Sequence, residues 1–155
     1  MDGRTSTPAA EPAAPRSTAR KTSAQAREFA IEAARLFAED KCEDIIVLDV
    51  TGLSQVTDYI IIGSGTSDRQ MRSTLKDVED MGTHRGFAVF RSSSDDRANW
   101  LLADFVDVVV HVFEPNTRAH YDLEMLWGDA PRIAWERPEG ASRDRAGLHR
   151  KKSST

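Results

Sequence analysis

The chain has one cysteine, Cys42, in 155 residues. A lone thiol cannot close an internal disulfide and cannot by itself build a zinc site, so a reducing compartment is the default setting. Long apolar runs are equally scarce. The longest, such as Ile45-Ile46-Val47-Leu48, is strand-sized and far below the roughly 18 residues that a membrane span requires. The opening residues lack the apolar block of a secretory signal. A catalytic set is missing too. No Ser or Cys nucleophile can be tied to His111, no P-loop lysine follows the Gly63–Asp68 loop, and no full Gly-x-Gly-x-x-Gly occurs. These absences point to a binding protein rather than an enzyme, with no cofactor or metal expected.

The formal charge of −4 is unevenly spread. Residues 1–21 sum to +2 and residues 139–155 to +3, which leaves −9 on the stretch between them. An acidic globular part repels phosphate backbones, because nucleic-acid affinity depends on cations that displace counterions. It attracts a basic protein and speeds encounter with one. Little direct RNA contact is therefore expected from the central part.

Composition divides the chain into a basic tail over 1–23, one domain over 24–135, and a second basic tail over 136–155. Both tails lack apolar periodicity and are expected to be disordered. The first is basic and rich in hydroxyls, as transit peptides are. Its Asp2, Pro8, Glu11, Pro12 and Pro15 spoil an amphipathic helix, however.

Within the domain, Ala26, Phe29, Ala30, Ala33, Leu36 and Phe37 fall at helical spacing, predicting a helix from Ala24 to about Asp40. Asp44–Val50 and Asp58–Gly63 are dense in Ile and Val and read as an antiparallel strand pair. Ser67 opens a second helix whose buried face is Met71, Leu75 and Val78, with Gly82 to Gly86 ending it. A short strand over Phe87–Arg91, a loop over Ser92–Asn99, and strands over Trp100–Asp104 and Asp107–Phe113 follow. Pro115 starts a last helix, with Leu123, Leu126 and Trp127 on one side. The order α-β-β-α-β-β-β-α makes an α/β domain, a mixed sheet of about five strands with packed helices.

Four features invite a functional reading. Ser67 with Gln70 has the pattern of a capping box, which is favoured over a phosphate cradle because Asp68 would repel an anion. Asp104 and Asp107, with Asp49 as a conceivable third member, raise a magnesium site. They flank the tight turn at Phe105 and Val106, where acids serve turns or recognition more often than metals. His111 lies in a Val-rich strand and reads as a partly buried histidine bonded to a neighbour. Trp100 begins a strand whose alternation puts Trp100, Leu102 and Asp104 on one face and Leu101, Ala103 and Phe105 on the other. If the second set faces the core, the first is an apolar stripe tipped by an acid, and a Trp in such a place is a frequent interface hot spot.

Further motifs accompany this stripe in order: residues 44–50 (Asp44 to Val50), Leu53-Ser54, Thr57-Asp58-Tyr59, Ser67-Asp68-Arg69-Gln70, Trp100 with Asp104, residues 107–113, Tyr121-Asp122-Leu123-Glu124 and Leu126-Trp127. Together, over about Ala24 to Pro131, they closely resemble the ribosomal silencing factor family, also called Iojap-like. The resemblance implies a sandwich similar to the nucleotidyltransferase architecture without that superfamily's catalytic set. It also implies a cytoplasmic repressor that binds the large ribosomal subunit through ribosomal protein number fourteen and sterically blocks joining with the small subunit. The free protein leaves room for a homodimer. The partner-binding residues so implied are Trp100, Leu102, Asp104, Phe105 and Asp107. The rival functions are a magnesium-dependent nucleotidyltransferase and a phosphate-ligand-binding domain that uses the Gly63–Ser67 loop. Two positions depart from the family pattern. Val106 replaces a usual Gly, placing a β-branched residue where φ would be positive, and His120 replaces an aromatic before Tyr121.

Overall fold

Helix α1 (Ser23–Glu39) forms where the Ala-rich sequence favours it, and it buries Ala26, Phe29, Ala30, Ala33, Ala34 and Phe37 along one face. Its start is fixed by a reciprocal cap. The Gln25 N–H donates to Thr22 Oγ1 at 3.1 Å, and the Thr22 N–H donates to Gln25 Oε1 at 2.8 Å. The computed structural model describes residues 22–94 and 99–138. The tails expected over 1–23 and 136–155 fall mostly outside those residues, as do positions 95–98 of the loop expected after Arg91.

After α1 come β1 (Glu43–Asp49), β2 (Tyr59–Ser64), α2 (Asp68–His84), β3 (Arg91–Ser94), β4 (Trp100–Asp104), β5 (Val108–Phe113), α3 (Pro115–Tyr121) and α4 (Leu123–Leu126). The strands form one sheet in the order β1-β2-β5-β4-β3. Only β2 and β5 run parallel; the other three pairings are antiparallel. This is the mixed five-stranded α/β arrangement expected from the sequence, with the last helix in two pieces. Every residue of β2 is buried, as suits a strand covered on both faces. Gly63 lets Phe37 lie directly on β2, since a Cβ there would meet the Phe37 ring at 2.5 Å.

The sheet separates two apolar layers. Against α1 and α2 lie Val47, Ile61, Leu101, Ala103, Val108, Val110 and Val112. On the other face Leu48, Ile60, Ile62 and Phe113 pack with Ala130, Leu123, Trp127 and Trp100. The outer edge of β1 is covered as well. The Asp49 N–H donates to the Pro131 carbonyl and the Ile133 N–H to the Val47 carbonyl, both at 2.9 Å. Beyond Ile133, the Trp135 indole donates to the Ile45 carbonyl at 3.1 Å, and Arg35 holds the Trp135 carbonyl at 2.7 Å. Arg137 pairs with Glu39 at 3.2 Å, so the packed unit reaches past Trp135.

Two expectations are corrected and one holds. The third strand is Arg91–Ser94, not Phe87–Arg91. The Phe87 ring instead stacks on Phe29 at 4.7 Å, and its N–H caps the Gly82 carbonyl. Helix α2 stops at His84 with Gly86 at φ +84, inside the stretch Gly82 to Gly86 expected to end it, and Gly82 sits in its last turn, where its missing Cβ admits the Phe87 carbonyl, Phe105 and Phe29. The last helix breaks at Asp122, which takes φ +50 and ψ +52. That break leaves Leu126 exposed, while Leu123 and Trp127 turn inward.

Candidate partner-binding site

Strand β4 alternates as its sequence requires. Leu101 and Ala103 enter the core, and Trp100, Leu102 and Asp104 emerge partly exposed on the opposite face. Trp100 is held from several directions. Its indole N–H donates to His111 Nδ1 at 3.1 Å, its ring stacks on Phe113 at 4.9 Å, and Tyr121 leans on it at 5.1 Å. His111 is 7 % exposed, and burial pushes its imidazole down to about 4. A neutral ring whose Nδ1 accepts from the indole must carry its proton on Nε2. His111 therefore positions Trp100. Beside the indole lies an open hollow of about 340 Å³, lined by Ser93, Ser94, Trp100 and Leu102.

At the far end of β4, Asp104 works locally. Oδ1 accepts the Val106 N–H at 2.8 Å, and Oδ2 faces Arg91 Nε at 3.3 Å. The turn that follows is tight. The Asp107 N–H donates to the Phe105 carbonyl at 3.0 Å around Val106, which takes φ +77. A γ-turn centred on a β-branched residue at positive φ is strained. The backbone keeps a glycine-like shape although Val occupies the position. Asp107 helps anchor the turn to β2, its carbonyl accepting from the Asp58 and Tyr59 N–H groups at 3.1 and 3.2 Å.

Phe105 is placed differently from what the resemblance implied. It is 3 % exposed and meets Phe29 edge-on at 5.0 Å. A ring in the core cannot touch a partner, so Phe105 shapes the turn from beneath. The surface strip is Trp100, Leu102, Asp104 and Asp107.

The metal alternative lacks convergence. Asp49 lies on β1 and Asp104 on β4, with β2 and β5 between them, so three strand spacings, about 14 Å, separate them. Among the described residues no group of three or more His, Cys, Asp or Glu is arranged to hold a metal. The glycine loop is also occupied. Its Gly65 N–H goes to the Phe113 carbonyl at 2.8 Å, the Thr66 N–H to Gln70 Oε1 at 2.6 Å, and the Gln70 N–H to Ser67 Oγ at 3.0 Å. Ser67 thus caps α2 as expected. Gln70, however, reaches back to Thr66 and not to Ser67, and its amide nitrogen crosses to the Asp40 carbonyl at 2.7 Å. Cys42 is buried and pushed up to about 11 by desolvation, with its thiol turned toward Thr74 Oγ1. Such a thiol packs and does not react.

One functional support escaped the sequence reading. Arg118 is 9 % exposed, and it ties α3 and α4 to the sheet. Its Nη1 donates to the Asp44 carbonyl at 2.6 Å and to Ser64 Oγ at 2.8 Å, and its Nη2 to Glu124 Oε2 at 2.9 Å. The β1–β2 register slips between Glu43 and Ile46, and Arg118 takes the carbonyl at that irregularity.

Residues 23–155 match the family model described as ribosomal silencing factor during starvation. The chain belongs to the ribosomal silencing factor family. A family protein of Bacillus subtilis, ribosomal silencing factor RsfS, is 43% identical over 93 residues, which cover 60% of this chain and 79% of that one. A mouse protein named mitochondrial assembly of ribosomal large subunit protein 1 is 35% identical over 95 residues, covering 59% of this chain and 42% of that one. The crystal structure of a Chromobacterium violaceum protein superposes with a TM-score of 0.62 at 30% identity, over 77% of this chain and 97% of that one. No helix among the described residues is long and apolar enough to cross a membrane.

Proposed function

We propose that this ribosomal silencing factor is a cytoplasmic translation repressor that acts by occupancy and performs no catalysis. It binds the large ribosomal subunit through ribosomal protein number fourteen and covers the surface that the small subunit needs. The observation that carries this reading is the strip on β4. Trp100 is clamped by His111, Phe113 and Tyr121 and remains partly exposed beside Leu102, with Asp104 and Asp107 at the strip's end. A rigid indole loses little entropy on docking, and acids at the rim select a cationic partner. The charge of −9 over residues 22–138 favours a basic protein over bare RNA. A standard interface of about 800 Å² per partner is enough for useful affinity. The names of the relatives support a ribosomal partner, and the mouse protein's name specifies the large subunit.

The test is co-sedimentation with purified large subunits. Trp100→Ala should weaken binding by on the order of 2–4 kcal/mol if the indole is a hot spot. Trp100→Phe, which keeps a ring on Phe113, controls for loss of fold, and a thermal melt is recorded for both. A folded Trp100→Ala protein that co-sediments like the wild type removes this assignment.

A further inference from the structure

The strand pairings bring three connections to one end of the sheet. β1 finishes there at Asp49, and β2 starts there at Tyr59. β5 runs parallel to β2 and starts there too, so β4 ends there and β3 begins there. The connections are 50–58, 105–107 and 85–90. Eight large apolar side chains are exposed among the described residues, and five of them sit on this end: Leu53 at 51 %, Val56 at 81 %, Val89 at 36 %, Phe90 at 62 % and Val106 at 37 %. Side chains of this size at that exposure present roughly 400–500 Å² of mostly apolar area, a scale that marks interaction sites on soluble domains. The backbone beneath them is tied down. The Leu53 and Ser54 N–H groups both donate to the Val50 carbonyl at 2.9 Å, and the Val56 and Thr57 N–H groups donate to Ser54 Oγ at 3.1 and 3.3 Å. The Asp58 N–H donates to the Asp107 carbonyl at 3.1 Å, which seats this loop beside the strained Val106 turn. On the far side the Phe90 N–H donates to the Asp104 carbonyl at 2.7 Å. Val56 adds little to the core at its exposure, yet its loop is fixed, and a fixed display loses little freedom on docking.

Charge selects the occupant. Asp49, Asp58, Asp104 and Asp107 lie on the same end. The arginines beside them are on the β3 side and already paired, Arg91 with Asp104 at 3.3 Å and Arg85 with Glu28 at 4.0 Å. We infer that Leu53, Val56 and Val106, with Asp49 and Asp58 around them, dock a basic segment of a partner protein that carries apolar side chains between its cations. A second copy of this acidic chain and a phosphate backbone would both be repelled. The end is four strand spacings wide, about 19 Å, so roughly six extended residues or a dozen helical ones would cover it. This surface meets the β4 strip only at Asp104 and Asp107 and stands independently of the function proposed for that strip.

The experiment titrates the full chain, carrying labelled Leu and Val methyl groups, with a synthetic peptide of about twelve residues that mixes Lys with Leu. A second peptide has Gly in place of Leu. The expected result is saturable binding of the first peptide, with NMR shifts centred on the Leu53, Val56 and Val106 methyls and binding that weakens as salt rises. The Gly peptide should bind about tenfold more weakly, and so should the first peptide to the double variant Leu53→Ser with Val56→Ser. Both serines replace exposed side chains, so the melt should barely move. Equal affinity of the double variant and the wild type, or shifts centred on Leu102, would overturn the inference. So would a wild-type dimer that the double variant abolishes, which would give the surface to a second copy. If replacing Arg16, Arg20 and Lys21 by Gln uncovers binding that the wild type lacks, the surface belongs to the chain's own basic end and the inference falls. No ribosome enters this assay, so its failure leaves the co-sedimentation test of the β4 strip untouched.

Discussion

Replacing Arg118 by methionine tests whether one buried guanidinium holds α3 and α4 in place. Methionine matches much of the volume and keeps apolar contacts, so the change isolates the polar network. Two fixed acceptors lose their donor, the Asp44 carbonyl at 2.6 Å and Ser64 Oγ at 2.8 Å. An orphaned buried acceptor costs about 1–3 kcal/mol. Ser64 can reorient its hydroxyl; the carbonyl cannot. Glu124 also loses its partner, but its side chain is 27 % exposed, so solvent recovers part of that cost. Relief of arginine desolvation offsets more. The balance is a destabilisation of about 3 kcal/mol, or roughly 10 °C in Tm for a domain of this size. Urea denaturation at 25 °C gives the number. Burial raises the Glu124 carboxyl, but the Arg118 hydrogen bond and charge more than offset this and hold it below the ordinary range. In Arg118→Met it should titrate above that range, and Glu124→Gln added to Arg118→Met should restore about 1 kcal/mol. A loss under about 1 kcal/mol, or no coupling between the two sites, would refute the clamp.

Acid should reveal two opposed slopes. His111 titrates near 4 when folded against 6.5 ordinarily, so the unfolded chain binds the extra proton between those values and stability falls by about 1.4 kcal/mol per pH unit from 6.5 down to 4. Asp40 is raised from 3.8 to about 6 by desolvation first, then by Asp77. The folded state therefore binds its extra proton between about 4 and 6, and this contribution grows as pH falls. Asp40→Asn should gain about 1–2 kcal/mol at pH 7, discounted for partial exposure, with the gain gone near pH 4. Against pH, its stability curve should then show the His111 slope unmasked, whereas His111→Gln should show the opposite slope; parallel curves would contradict both assignments. Gly82→Ala should destabilise by about 1–2 kcal/mol although alanine normally favours helices, because its Cβ would sit 2.7 Å from the Phe87 carbonyl. A higher Tm would overturn that account.

Alternation and helical spacing carried the long elements. Strand β4 put Leu101 and Ala103 inside and Trp100, Leu102 and Asp104 outside, as the pattern Trp-Leu-Leu-Ala-Asp dictates, and α1 and α2 buried the apolar stripes written into them. The Ser-rich β3 was illegible because its own residues have weak strand preference; it forms because β4 offers an unpaired edge. Phe87 looked like strand and became core because the close approach at Gly82 turns the chain under Phe29. The break at Asp122 is a single left-handed residue inside a helical pattern, so neither the exposure of Leu126 nor the Arg118–Glu124 pairing six residues apart could be read. The role given to Phe105 came from the resemblance, and alternation along β4 had already put that side chain on the core side.

The extended segment from Pro131 to Ile133 lies along the outer rim of β1, and Trp135 and Arg137 lock it to β1 and α1. Synthesis delivers these residues after every strand of the sheet. Until they leave the exit tunnel, β1 presents bare backbone amides and carbonyls to any neighbouring strand. A chain cut short before Pro131 is thus sticky along one border, and the segment that follows the sheet is also its safeguard against self-association.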